Sequence, residues 1–232
     1  MVSSSPGAGS SVLPQEIAAL VGPMLLRPLP TKADEQLSVY VSLVERWNRQ
    51  LNLTAVRDVT EFIRVHIGES LRCAQLLSPD IATVLDFGSG AGLPGIPLQI
   101  ARPDVAVTLA ESQKKKATFL REAIRNLTLS ATVYAGRVED MPQERMFDVV
   151  TLRAVDKMET ALLAALPRVA ANGWAFVLTS LREAERVTSV LPDLAWGGPH
   201  RIPESNQRVV LMGHRAHIVP RGTMRESATI QL

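Results

Sequence analysis

The sequence predicts an α/β protein with a doubly wound, Rossmann-like sheet of seven strands and a helical N-terminal extension. After Pro79, short apolar runs alternate with longer stretches of helical periodicity, as in a parallel sheet covered by helices. The first run, 83–87, leads directly into a glycine-rich turn. Before Pro79, apolar residues recur every three or four positions, which indicates amphipathic helices.

The N-terminal part is predicted to hold three helices, at 15–26, 33–51 and 59–77. In the second, Leu37, Tyr40, Val41, Val44, Trp47 and Leu51 form one apolar stripe. Residues 1–13 are rich in Ser, Gly, Ala and Pro and are predicted to be a disordered arm. We therefore expect an arm at 1–13, a helical extension at 14–79, a main domain at 80–220 and a loose tail at 221–232.

The predicted strands lie at 83–87, 105–110, 131–135, 147–152, 174–179, 199–202 and 208–213. The last two are close enough in sequence to pair antiparallel. A seventh, antiparallel strand is typical of class I methyltransferases, whereas the dehydrogenase sheet has six strands.

Composition limits the class of protein without deciding the partner. The 232 residues carry a net charge of only +2, so nucleic-acid binding would depend on local clusters of basic residues. The single cysteine, Cys73, excludes an internal disulfide and favours a reduced compartment. No signal sequence and no apolar stretch of about 20 residues is present, so we expect a soluble, cytoplasmic protein.

The turn after the first strand has the spacing Gly-x-Gly-x-Gly at Gly88, Gly90 and Gly92. Position 93 is Leu, so the dinucleotide-binding fingerprint is absent, and no Lys-Ser/Thr pair follows to make a phosphate-binding P-loop. The arrangement suits the methionine and adenosine parts of S-adenosyl-L-methionine. An ordinary strand-to-helix turn is the alternative. The predicted cofactor-binding residues here are Asp86, Gly88, Ser89, Gly90, Gly92 and Leu93.

Three acidic or loop residues extend the predicted cofactor site. Glu111 ends the second strand, where doubly wound folds place a carboxylate on ribose hydroxyls. Val138 and Glu139 follow the third strand, where the adenine edge would lie. For Glu111 the alternative is an acid that merely precedes a helix. For Val138 and Glu139 the alternative is a solvated loop.

Arg153 ends the fourth strand at the carboxyl edge of the sheet and is the predicted catalytic residue. The segment lacks an Asn/Asp-Pro-Pro-aromatic motif and a cysteine nucleophile. An acceptor with a free lone pair, such as guanine N7, needs neither, and positioning suffices. Arg153 would position substrate or cofactor without acting as a base, or it forms a structural ion pair. No metal site is predicted.

Basic residues on the helix after Glu111 are candidates for RNA binding, namely Lys114, Lys115, Lys116 and Arg121. A solvated basic face is the alternative. His66, on the third helix, is a further candidate whose alternative is a packing role.

The chain resembles the glucose-inhibited division protein B family, methyltransferases that modify guanine N7 in small-subunit ribosomal RNA. The resemblance runs from about Tyr40 to Thr179. It rests on Trp47-Asn48, Leu51-Asn52-Leu53-Thr54-Ala55, His66-Ile67, Ser70-Leu71, Asp86 to Leu98, Glu111-Ser112, Lys115, Lys116, Phe119, Leu120, Arg137-Val138-Glu139 and Arg153-Ala154.

The resemblance implies a cytoplasmic, usually monomeric enzyme that acts on 16S rRNA, at a loop near the decoding centre. It implies cofactor contacts at Gly88, Leu93, Val138, Glu139 and Arg153. The chain departs from the family pattern at Glu69, at Leu178-Thr179-Ser180 and at Asn206-Gln207-Arg208. Two other functions remain open: a methyltransferase of the same fold acting on a small molecule or protein, and a catalytically silent RNA-binding or assembly protein.

Overall fold

The computed structural model describes residues 12–153 and 158–216. In these ranges one sheet contains β1 (Thr83–Phe87), β2 (Ala106–Ala110), β3 (Thr132–Tyr134), β4 (Phe147–Arg153), β5 (Val169–Ser180), β6 (Ala195–Trp196), β7 (His200–Arg201) and β8 (Arg208–His214). The helices are α1 (Pro14–Val21), α2 (Ala33–Leu51), α3 (Val59–Glu61), α4 (Gly68–Gln75), α5 (Gly95–Ala101), α6 (Lys114–Leu127), α7 (Met158–Ala165) and α8 (Leu181–Val190).

The sheet has the order β3-β2-β1-β4-β5-β8, parallel except for β8, and it confirms the predicted fold class. The described sheet contains one short strand more than predicted, because β6 and β7 both pair antiparallel with the free side of β8. Gly198 and Pro199 lie between them, and a proline cannot donate a ladder hydrogen bond. The strand order reverses between β1 and β4, and such folds bind ligands at that point.

The apolar stripe of α2 is confirmed as a buried face: Leu37, Tyr40, Val41 and Val44 are at most 2% exposed. They share one hydrophobic cluster with Phe119 on α6 and Val84 on β1. The N-terminal helices therefore pack on the sheet domain, and the Tyr40 hydroxyl donates to the Ala91 carbonyl at 2.7 Å. Helix α2 is thus attached to the turn after β1.

Two predicted helices differ in detail from the observed ones. The helix predicted at 15–26 ends at Val21 and continues as a 3-10 turn, Gly22–Met24. The one predicted at 59–77 contains a π-helix, Phe62–Ile67, between α3 and α4. The predicted arm lies outside the described residues except for Val12, which is buried, and Leu13. The predicted tail at 221–232 lies wholly outside them. No described helix is both long and apolar enough to span a membrane.

Candidate active site

A sharp turn joins β1 to α5 at the centre of the sheet. Gly88, Gly90 and Gly92 have φ angles of 70°, 55° and 90°, a region that residues with a Cβ rarely adopt. Gly92 also lacks space, since an added Cβ would lie 2.4 Å from Ile96 Cδ1. The predicted sharp turn is confirmed, and cofactor binding by these glycines stays a prediction.

Gly92→Ala is expected to lower the free energy of unfolding by about 2 kcal/mol, because it combines backbone strain with a clash in the core. Urea denaturation measures the change. Gly22→Ala is the matched control, since Gly22 has a helical φ of −47° and no atom within 4 Å of an added Cβ. That control should be neutral or stabilising by up to about 1 kcal/mol. Equal stability of the two variants would contradict this account of Gly92.

Asp86 is fully buried beneath the turn. Its Oδ2 accepts a hydrogen bond from the Gly95 amide at 3.2 Å, and its Oδ1 accepts one from the Thr151 hydroxyl at 3.1 Å. Burial raises the pKa of Asp86 to about 6, opposed by these hydrogen bonds. The carboxyl therefore holds the glycine turn against β4 and α5.

The raised pKa of Asp86 predicts a pH-dependent stability. The unfolded carboxyl ionises near pH 3.8 and the folded one near pH 6, so the folded state holds the proton more tightly. The resulting stability, about 3 kcal/mol in all, is complete below about pH 4 and is lost as the pH rises through about 6. Relative to Asp86→Asn, the wild type should lose that amount between pH 4 and pH 7. A difference that does not change with pH would exclude the mechanism.

Glu111 ties the end of β2 to the same turn. Its side chain is buried, with Oε2 accepting from the Gly90 amide at 3.0 Å and Oε1 accepting from the Gln113 amide at 2.7 Å. Ser89 is also buried, and its amide donates to the Ala110 carbonyl at 2.9 Å. Because each carboxylate oxygen has a second lone pair, Glu111 can still accept hydrogen bonds from a ligand.

A cleft of about 610 Å³ opens over this turn, a size typical of small-molecule sites. One group of lining residues belongs to the turn, to the segment just after β2 and to the start of α6. A second group comes from the loop after α2, the π-helix and the ends of β4 and β8. The predicted residues that line the cleft are Gly88, Ser89, Gly90, Leu93, Glu111, Lys116, Arg153 and His66.

Other predicted residues lie outside the lining of this cleft. Val138 is buried in a second hydrophobic cluster, and Glu139 is exposed in a 3-10 turn after β3. Lys114, Lys115 and Arg121 are exposed on α6. The assignments of Val138 and Glu139 to adenine, and of the basic residues to RNA, stay predictions.

A charged network lies at the second side of the cleft. Glu69 is only 2% exposed and accepts two hydrogen bonds from Arg208, at 2.6 Å to Oε1 and 3.1 Å to Oε2. Arg153 donates to the same carboxylate, with Nε and Nη2 each 3.3 Å from Oε2. The Nη2 of Arg153 also contacts Nδ1 of His66. Arg153 therefore forms a structural ion pair and lines the cleft at the same time.

Register places Arg153 beside the glycine turn. Leu152 on β4 pairs with Phe87 on β1, so the next residues, Arg153 and Gly88, lie at the same level. Burial lowers the pKa of Arg153, and the carboxylate of Glu69 opposes this change.

Sequence reasoning did not assign the loop Leu53–Val56, Glu69 or Arg208 to the site. Within this loop, Leu53, Thr54 and Ala55 belong to the family resemblance only. The structure explains its motif, because Asn48 Oδ1 accepts from the Thr54 amide at 2.9 Å and holds the loop at the cleft. Glu69 and Arg208 both lie where the chain departs from the family pattern, and this departure is the signal in the sequence that points to them.

Residues 33–190 match the family model described as rRNA small subunit methyltransferase G, or GidB. The chain belongs to this family. It is 41% identical over 152 residues to Ribosomal RNA small subunit methyltransferase G of Xanthomonas euvesicatoria pv. vesicatoria, covering 64% of this chain and 70% of that protein. It is 43% identical over 141 residues to the protein of the same name from Methylobacillus flagellatus, covering 60% and 67%. The predicted family is confirmed.

A solved structure supports the same fold. M. jannaschii TYW2 in complex with AdoMet superposes with a TM-score of 0.52 at 20% identity, over 66% of this chain and 76% of that chain. This likeness concerns the fold alone, a class I methyltransferase fold.

Proposed function

We propose that this protein transfers a methyl group from S-adenosyl-L-methionine to guanine N7 in 16S rRNA, at a loop near the decoding centre. The observation that carries the proposal is a single cleft. The glycine turn and Glu111 line one side of it, and Arg153 and Arg208 line the other. Membership of the rRNA small subunit methyltransferase G family supports the same substrate.

The cleft residues fit the cofactor. Gly88 and Gly90 have positive φ angles, and as glycines they have no Cβ. A ligand could therefore lie directly against the backbone of the turn. Glu111 keeps lone pairs for the ribose hydroxyls, and Arg153, level with Gly88, would hold the carboxylate of the methionine part. Val138 and Glu139, which lie outside the cleft lining, would meet the adenine. When bound, the cofactor supplies an electrophilic methyl group on a sulfonium.

The remaining chemistry needs only positioning. Guanine N7 has a free lone pair and no proton, so methylation requires no general base. The cleft lining agrees, since among the described residues it includes no cysteine, and its one carboxylate, Glu111, is bonded to two backbone amides. Cys73 is buried within α4. Asp86, under the glycine turn, holds that turn in place through its hydrogen bonds to Gly95 and Thr151.

Three lysines support RNA as the substrate. Lys114, Lys115 and Lys116 form the first turn of α6, which has no acidic residue. Cations at a helix N-terminus oppose the helix dipole and lower helix stability unless an anion lies nearby. RNA phosphates would supply that anion, with Arg121 one turn further along.

We propose that the protein acts as a monomer on small-subunit particles or their RNA in the cytoplasm.

The test is transfer of labelled methyl from S-adenosyl-L-methionine to small-subunit particles, and to their RNA, from a strain lacking its own enzyme. Label recovered as N7-methylguanine supports the proposal. Cofactor binding without transfer to any RNA would overturn it in favour of a small-molecule or protein methyltransferase. RNA binding without cofactor binding would indicate a silent assembly protein.

A further inference from the structure

The imidazole of His66 lines the cleft beside Arg153. The guanidinium of Arg153 has donors and no acceptor, so the ring nitrogen that it contacts, Nδ1, must accept. A neutral imidazole carries its one proton on the other nitrogen. The contact with Arg153 therefore indicates that the neutral His66 ring carries its proton on Nε2.

The ring is held in this state and orientation. Phe62 packs edge-to-face against it, with ring centroids 5.6 Å apart and an interplanar angle of 80°. Burial, together with the nearby charge of Arg153, lowers the pKa of His66 to about 4. The imidazole is thus neutral at pH 7, and Nε2 has no hydrogen-bond partner among residues 12–153 and 158–216.

The backbone at His66 is unusual. Residues Phe62–Ile67 form a π-helix, and such segments often occur at functional sites. The extra residue in this turn accompanies the exposure of Val65 and His66 to the cleft, while Ile63 and Ile67 stay buried. An apolar side chain and one fixed N–H donor therefore lie together at the second side of the cleft.

We infer that His66 is a specificity residue whose Nε2–H donates to O6 of the target guanine and leaves N7 free for methylation. This inference rests on the proposed function. Guanine presents acceptors at both N7 and O6, whereas adenine presents an amino donor in place of O6. A donor aimed at O6 would select guanine, and a donor aimed at N7 would block the reactive lone pair.

The neighbouring arginines are less suited to this contact. Arg208 binds Glu69 through two nitrogens and is 30% exposed at the cleft edge, a position suited to a phosphate. Arg153 already donates to Glu69 and to His66 through its Nε and Nη2 atoms, which are therefore engaged within the protein. His66 therefore offers the cleft a neutral donor that has no protein partner among the described residues.

The test removes the donor and the acceptor separately. His66→Phe is compared with wild type on reconstituted small subunits that carry, at the target position, either guanosine or 2-aminopurine riboside, which keeps N7 and lacks O6. We expect wild type to lose about 10- to 100-fold in kcat/KM on 2-aminopurine, because a buried donor is left unpaired. His66→Phe should show a similar loss on guanosine and no further loss on 2-aminopurine.

His200→Phe is the matched control, because His200 is exposed on β7, and it should discriminate like wild type. If His66→Phe prefers guanosine as strongly as wild type, the inference is overturned. A purely structural role would lower both rates equally and keep their ratio. No methylation of guanosine by wild type would instead overturn the proposed function, and the inference with it.

A second measurement does not depend on activity. Nitrogen-15 NMR of labelled protein should find His66 neutral at pH 7, with the chemical shift of an unprotonated Nδ1 and a protonated Nε2. A protonated Nδ1, or a doubly protonated ring, would overturn the assignment of the donor.

Discussion

Arg153→Ala is expected to slow methyl transfer to small-subunit RNA by at least about 100-fold. Arg153 follows the β4 residue that pairs with Phe87, so its backbone lies level with Gly88, and its guanidinium donates to His66 and Glu69. Its loss would therefore misplace groups at the cleft. Displacements of about 1 Å at a reacting centre are enough for an effect of this size. Single-turnover transfer and calorimetric cofactor affinity, measured together, separate chemistry from binding.

The fold should survive this change, because Glu69 keeps both hydrogen bonds from Arg208. Arg186→Ala is the matched control: Arg186 lies exposed on α8 and pairs with Glu159, so transfer should match wild type. Transfer within about threefold of wild type in Arg153→Ala would contradict the proposed positioning role. Loss of activity together with loss of folded protein would contradict the claim that Arg208 alone satisfies Glu69.

Glu69→Gln is expected to lower the free energy of unfolding by about 3–5 kcal/mol. The carboxylate is the shared partner of two guanidiniums, and the Arg153 side chain is only 9% exposed. The amide of Gln would leave the positive charges of Arg153 and Arg208 side by side without a counter-charge. Its NH₂ group would also face guanidinium N–H groups, which cannot accept a hydrogen bond. Urea denaturation at pH 7 measures the loss.

Glu204→Gln is the control for Glu69→Gln. Its ion pair with Arg64 is exposed on both sides, at 41% and 48%, so the change should cost less than about 1 kcal/mol. Equal effects of the two substitutions would mean that burial of Glu69 adds nothing. Glu69→Asp should fall between wild type and Glu69→Gln, since it keeps the charge on a shorter side chain.

Elements with a strong local pattern were predictable from the sequence. Helix α2 has the predicted bounds because its apolar stripe and polar flanks are encoded within one segment. Strand β1 and the turn after it were predictable for the same reason, since the run at 83–87 and the three glycines specify the local backbone. Tertiary context altered weaker signals: the π-helix interrupts a helical periodicity that the sequence alone shows as continuous.

The sequence by itself therefore determined the fold class, the glycine turn, Glu111 at the end of β2 and the family. The tertiary structure alone decided that Glu69 bridges Arg153 and Arg208, and that Arg153 contacts His66. These partners lie 84, 139 and 87 positions apart in the chain. No periodicity links residues at such distances, and the burial of their charges depends on how α4, β4 and β8 pack together.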